Sequence, residues 1–178
     1  MKRFASFLTL ATATITLATL QPSQTSVSMA QVLPQQATSD TADSRVKQAL
    51  DSLGLNYEVE DSGAIKVGMR FDDQRTQVAY IASSTSALGD MEIREIVSPA
   101  NLTDGMLSAD MANQLLKDNS SKKLGAWQTV ELKEGRHVTL FTAQIDANSS
   151  PEQLRSALYA VLNTADTMEE DLTGGDRF

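Results

Sequence analysis

One histidine, His137, and no cysteine set the limits of the chemistry open to this chain of 178 residues. A Ser–His–acid triad would have to be built on that single imidazole. His137 follows Arg136 just after a Glu134-Gly135 turn, and the sequence contains no nucleophile elbow to go with it. It reads as a solvent-facing strand residue. The absence of cysteine removes disulfides, iron–sulfur clusters, thiol catalysis and thiolate zinc ligands together, and one histidine is too few for a zinc site.

Four carboxylates crowd one short stretch, Asp166, Glu169, Glu170 and Asp171. A divalent cation needs converging oxygens of this kind. On an exposed helix face they read instead as solvated side chains, and at a helix C-terminus the dipole disfavours them, so this turn is expected to fray. Asp72-Asp73 lacks the spacing and closing glutamate of an EF-hand, and the glycines at 63, 68, 89, 105, 125 and 135 form no phosphate-cradling loop. A carboxylate pair for glycoside cleavage is defined by distance in space, and nothing in the sequence singles one out. The expectation is a protein that is not an enzyme, with no catalytic residue, no cofactor and no metal. Trp127, the one tryptophan, is the remaining candidate. Strand alternation sets it opposite Val130 and Leu132, toward solvent or a sheet edge, where it would anchor a partner. The competing reading is a partly buried packing residue.

The elements that must position these residues can be read from periodicity. Asp40 to Leu53 reads as a helix with Val46, Ala49, Leu50 and Leu53 on one face, Gly54 as its left-handed cap and Leu55 folding back onto Leu50. Tyr57 and Val59 alternate with charges, and Ile65, Val67, Met69 and Phe71 alternate with Lys66, Gly68 and Arg70. That period of two predicts a sheet with one face buried and the other wet. Asp61-Ser62-Gly63 and Asp72 to Arg75 are turns. Thr76 to Ser83 reads as the third strand, Ser84 to Asp90 as a loop, and Met91 to Ser98 as a fourth strand closed by Pro99. The alternation of that fourth strand slips between Ile93 and Ile96, which reads as a bulge.

Ser108 caps a second helix to about Asp118, with Met111, Leu115 and Leu116 as its apolar face. A hairpin follows, Ala126 to Lys133 and Arg136 to Ile145. Ser150-Pro151-Glu152-Gln153 is a capping box with proline at the first helical position. After it, Leu154, Leu158, Val161, Ala165, Met168 and Leu172 form a stripe expected to pack on the domain's own sheet, and Gly174 and Gly175 end the helix. The order α-β-β-β-β-α-β-β-α, with hairpins and no strand–helix alternation, gives an α+β fold: an antiparallel sheet with helices packed on one side.

Lys2 and Arg3 precede an apolar, uncharged run from Phe4 to Leu20 diluted by five threonines. Pro22 breaks it, and Ser28-Met29-Ala30 presents small residues where signal peptidase requires them. Residues 1–30 therefore read as a signal peptide cut between Ala30 and Gln31, and no stable membrane span is expected afterwards, because a span needs about 20 strongly apolar residues. Lipoprotein processing is excluded for want of a cysteine. Residues 31–39 read as a flexible leader, 40–173 as the folded domain and 174–178 as a tail. The expected compartment is the periplasm, or the medium after secretion from a bacterium. The whole chain carries a net charge of −8, and without residues 1–30 it has 13 basic against 23 acidic residues, or −10. With no Lys/Arg cluster, that balance argues against nucleic acid and against anionic lipid.

Several short stretches, in this order, carry a resemblance. They are Arg75-Thr76-Gln77-Val78 opening a middle strand, Ile96-Val97-Ser98-Pro99, Leu115-Leu116-Lys117-Asp118-Asn119 ending the second helix, Gly125-Ala126-Trp127 starting the hairpin, and Ala165-Asp166 late in the last helix. From about Val46 to Leu172 the chain resembles the YbjN family, also called bacterial sensory transduction regulator proteins. The resemblance implies a fold similar to class I type III secretion chaperones: a twisted antiparallel sheet with helices against it, often dimeric, binding extended protein segments without catalysis. Best-known members are cytoplasmic, and the export signal departs from that pattern. The function expected is an exported, chaperone-like or regulatory protein-binding module, a homodimer with a further protein or peptide partner. The alternatives are a small-ligand or stress-sensing module and, more remotely, a hydrolase without a recognisable motif.

Overall fold

The computed structural model describes residues 42–71 and 74–178. Helix α1 (Ser44–Ser52) starts at Asp43, whose carboxylate accepts the Arg45 N–H at 2.8 Å. That bond satisfies one of the amides that every helix start leaves unpaired. The helix ends as its sequence implies: Gly54 takes φ +66°, and the Leu55 N–H closes onto the Leu50 carbonyl at 3.0 Å. The expected start at Asp40 lies outside the described residues.

Seven strands follow: β1 (Glu58–Val59), β2 (Ile65–Arg70), β3 (Thr76–Ile81), β4 (Ser86–Leu88), β5 (Met91–Thr103), β6 (Ala126–Glu131) and β7 (His137–Asp146). They form one antiparallel sheet in the order β1-β2-β3-β5-β7-β6, with β4 paired on β5 away from that path. Helix α2 (Ala109–Asn119) joins β5 to β6, and α3 (Pro151–Thr173) ends the domain. The α+β architecture with an antiparallel sheet is as the pattern of hairpins predicts.

Three details differ from the sequence reading. Ser84 to Asp90 is not a plain loop. It contains β4, which hairpins back so that Leu88 pairs with Met91 around a Gly89-Asp90 turn, Gly89 supplying φ +60°. Three residues are too few to show a period of two. Next, Pro99 does not close β5, which runs on to Thr103, and the bulge lies between Pro99 and Asn101 rather than between Ile93 and Ile96. Proline is tolerated there because the β3 backbone pairing has already ended at Tyr80↔Val97, so the missing N–H is not needed on that side. The fully buried Gln77 takes over, donating from Nε2 to the Pro99 carbonyl at 3.1 Å, while the Ser98 hydroxyl donates to the Val78 carbonyl at 2.6 Å. The slip at Ile93–Ile96 has another cause, a buried arginine, described below.

The third difference concerns the sheet faces. All three helices pack on one face, where Leu154, Leu158, Val161, Ala165 and Met168 of α3 meet Ala79, Ile81, Ile96, Phe141 and Ala143. The α3 stripe therefore packs on the domain's own sheet, and burying each Leu or Val contributes roughly 1.5–3 kcal/mol. The opposite face is not wet at its centre. Tyr80, Ala82, Val97, Leu132, Val138 and Leu140 form a second buried apolar cluster built only from strands and their connections. On α2, Leu115 is buried but Leu116 is exposed, so the apolar face of that helix is narrower than its sequence suggests.

Gly125 sits where the hairpin begins, at φ +82°. A Cβ there would lie 2.5 Å from the Thr142 carbonyl oxygen and 2.9 Å from the Phe141 ring. Backbone strain and overpacking each cost about 1–3 kcal/mol. Gly125→Ala is expected to lose roughly the sum of the two, measured by urea unfolding. A loss below about 1 kcal/mol, the size of an ordinary surface change, would contradict this packing.

Candidate functional site

The stretches that carry the sequence resemblance meet in space, and they meet as fasteners. Arg75, just before β3, donates from Nε to Asp166 on α3 at 2.9 Å. Gln77 and Val78 on β3 bond the Ser98-Pro99 segment of β5 as described above. Asp118 and Asn119 at the end of α2 hold Trp127: the indole Nε1–H donates to the Asp118 carboxylate at 2.6 Å, and the Trp127 backbone N–H donates to Asn119 Oδ1 at 2.7 Å. Each contact joins elements distant in the chain or tethers a helix end to an edge strand.

Trp127 is therefore a core residue and presents no exposed anchor. It is 7% exposed, and its ring meets Phe141 edge-on at 5.1 Å. Alternation separates it from Val130 and Leu132, as read from the sequence, but both sheet faces are apolar. It joins the helix-side cluster while they join the other. His137 is partly exposed on β7, with Nδ1 3.1 Å from the Gly135 carbonyl oxygen.

The acidic end of α3 also differs from the solvated face expected. Glu170 and Asp171 are exposed, but Asp166 and Glu169 turn inward, Glu169 completely buried. Their carboxylate oxygens and that of Asp176 lie within 4.8 Å of one another. The positive charge among them comes from Arg75, whose Nη2 is 3.6 Å from Glu169. Burial pushes the Glu169 carboxyl above the usual glutamate range, against the lowering effects of the Arg177 backbone N–H and the Arg75 charge. The last turn of α3 is thus tied to β3, where the charge pattern alone suggested fraying.

A second network went unread in the sequence. Arg94 on β5 is 1% exposed and points to the helix side, which breaks the apolar alternation of that strand. It donates to the Ala82 and Ser83 carbonyls and, at 2.6 Å, to Asp43, the N-cap of α1. Arg45 binds the same Asp43 carboxylate and reaches Glu92 at 2.7 Å. Burial would raise the Asp43 carboxyl, but hydrogen bonds from Arg45 and Arg94 outweigh it and hold the group well below the usual range. Hydrogen bonds from Arg45 and Thr85 bring Glu92 down to about 2. The signal available was the pairing of a lone arginine inside an apolar strand with an N-cap aspartate.

Beside this network, α1 and the start of α3 flank an open cleft of about 380 Å³. Val46, Ala49, Ile145 and Leu154 line it together with Arg45 and Arg94, and Arg94 Nε has no hydrogen-bond partner. The large apolar side chains exposed among the described residues are Val59, Leu88, Met91, Met106, Leu116 and Tyr159. Of these, Leu88 and Met91 are cross-strand neighbours at the tip of the β4–β5 hairpin. The cleavage site at Ala30 and Gln31 lies outside the described residues. Among those residues, no helix is long and apolar enough to cross a membrane.

No family model matches the chain, and no curated protein matches it. Among solved structures it is similar to YbjN from E. coli, described as a candidate transcription regulator, at 12% identity and a TM-score of 0.46, over 71% of this chain and 88% of that one.

Proposed function

We propose that this chain is an exported, non-enzymatic protein-binding module of the bacterial envelope, working as a homodimer that holds an extended segment of another protein. The observation that carries the reading is the exposed apolar pair at the β4–β5 tip, Leu88 at 67% and Met91 at 51% exposure, on a hairpin that stands off the main strand path. Adjacent exposed apolar side chains on a strand pair are a binding surface of the kind that extended peptides use. The ionisable groups with strongly displaced pKa values, Asp43, Arg45 and Glu92, are all engaged in ion pairs that fasten α1 to the sheet. Export rests on the N-terminal apolar run and the Ser28-Met29-Ala30 site.

Two measurements test the parts separately. Intact-mass analysis of the chain recovered from its host is expected to find Gln31 at the N-terminus, and recovery of an intact chain beginning at Met1 would contradict export. On a peptide array, the wild-type protein is expected to retain extended apolar peptides that the Leu88→Lys, Met91→Lys double variant does not. Equal retention by the two would contradict the assigned surface.

A small-ligand reading is favoured by one observation, the α1–α3 cleft with its apolar wall and the unpartnered Arg94 Nε. It requires a compound that raises the melting temperature of the wild type and leaves a cleft-filling Ala49→Phe variant unmoved.

A further inference from the structure

We propose that the segment held at the β4–β5 tip is a basic one, an extended stretch whose apolar side chain sits on Leu88 and Met91 and whose neighbouring Lys or Arg side chains meet the carboxylates beside them. The inference rests on the assignment of that tip as the binding surface, and it adds the chemistry of the partner.

Strand parity puts the groups on one face. Side chains two apart along a strand share a face, and so do residues directly opposite each other across a pair. Leu88 lies opposite Met91, and Ile93 lies opposite Asp146. Met91, Ile93 and Glu95 therefore share a face with Leu88 and Asp146. It is the face away from the helices, because Ile96 of the alternate set packs in the helix-side core. The arrangement is an apolar strip of Leu88, Met91 and Ile93, with Asp90 in the turn at its outer end and Glu95 and Asp146 at its inner border.

The charge on this strip has no cation against it. The hairpin from Ser83 to Glu95 and the β7–α3 turn from Gln144 to Ser150 carry the carboxylates Asp90, Glu92, Glu95 and Asp146 and a single basic residue, Arg94. Arg94 is spent on Asp43 beneath the sheet, and Glu92 is taken by Arg45 at 2.7 Å. Among the described residues, Asp90, Glu95 and Asp146 have no ion-pair partner. Glu95 accepts from the Gln144 amide at 3.0 Å, and Asp146 accepts the Asn148 backbone N–H at 2.8 Å. Asp90 and Asp146 are exposed and Glu95 half-buried. An acidic segment seated on Leu88 and Met91 meets like charges there, whereas a basic one meets opposite charges. The net charge of −8 on the whole chain draws the same kind of partner from a distance.

Geometry sets the spacing. The strands of Leu88 and Asp146 are separated by β5, so they stand roughly 10 Å apart, or about three residues of extended chain. The segment that fits therefore has Lys or Arg about three residues from its apolar anchor.

Binding of labelled synthetic peptides to the full chain, read by fluorescence anisotropy, tests this. The peptides share one Val/Leu core and carry Lys, Gln or Glu at the flanking positions. At low salt the Lys peptide is expected to bind about three- to tenfold more tightly than the Gln peptide, the effect of two exposed ion pairs, and the Glu peptide most weakly. The differences should shrink as salt screens the charges. The Glu95→Gln, Asp146→Asn double variant keeps the acceptors for Gln144 and Asn148 and is expected to lose the preference for Lys over Gln. Equal binding of Lys and Gln peptides by the wild type, or a preference retained in the double variant, overturns the proposal. The Leu88→Ser, Met91→Ser variant, which changes no charge, separates this from failure of the underlying surface. If it loses all the peptides, the tip stands as the binding surface. If it binds them as the wild type does, or if the wild type binds none, the surface and the proposal fall together.

Discussion

Arg94→Met is expected to destabilise the fold by about 3–5 kcal/mol, the cost of breaking a buried ion pair by removing one partner. The volume is nearly conserved, so a cavity is not the cause. The guanidinium satisfies the Ala82 and Ser83 carbonyls and the α1 N-cap Asp43 at once, and its side chain is 1% exposed. Methionine leaves both carbonyls without this donor and returns Asp43 to the single partner Arg45. The acid limb of stability should change as well. An aspartate held below its unfolded pKa contributes stability that is present above the unfolded value and lost as pH falls through the folded one. With Arg94 gone, Asp43 is depressed less and less stability is lost on acidification. Urea unfolding at neutral and at strongly acid pH, followed by Trp127 fluorescence, measures both effects. A loss below about 1 kcal/mol, typical of an exposed pair, would show that Arg94 is hydrated.

Phe141→Ala is expected to cost about 3–5 kcal/mol through lost burial and the cavity left behind. Phe141 is 1% exposed, faces Trp127 across the strand pair, and closes against the backbone at Gly125. Its loss removes the aromatic contact that holds the indole edge-on. The emission of Trp127 should shift to the red in the folded state, since water reaches a ring that keeps its Nε1–H bond to Asp118 but has lost its aromatic neighbour. Unchanged emission together with a small loss of stability would mean that the site collapses around the indole.

The sequence made the helices legible because each carries local punctuation. The capping box at Ser150 and Gln153 forms with both of its bonds, Ser108 accepts the Met111 N–H, and Gly54 and Gly174 both take positive φ where the helices end. These signals act within one turn, so they survive without tertiary context. Strand-level reading failed where a non-local partner decided the outcome. Pro99 stays within β5 because β3 no longer pairs with the strand there, and Gln77, 22 residues earlier, donates to the Pro99 carbonyl that the ladder leaves open on that side. Ile93-Arg94-Glu95-Ile96 looked like a bulge because an arginine facing the core is recognisable only once Asp43 is beside it. The candidate site followed the same division. Asp166 and Glu169 were visible as an acidic run, but Arg75, which turns them inward, lies 91 residues from Asp166. Trp127 depended on α2 meeting the sheet, and one strand's alternation carries no information about that.

The short stretches behind the family resemblance acquire a physical meaning from these contacts. Arg75 with Asp166, Gln77 with Pro99, and Asp118 and Asn119 with Trp127 bind the elements to each other. None of them uses a residue of the β4–β5 tip, where we place the recognition of the proposed partner.

A photo-crosslinking residue at Leu88, introduced into the full chain and activated in intact host cells, tests that placement most directly. The account predicts a covalent adduct with another protein in the envelope fraction, carried by a chain whose N-terminus is Gln31. The adduct should be lost on adding Met91→Lys and absent when the same residue replaces the exposed Glu134 instead. Equal adducts at both positions, no adduct at Leu88, or adducts confined to unprocessed chain in the cytoplasm would contradict it.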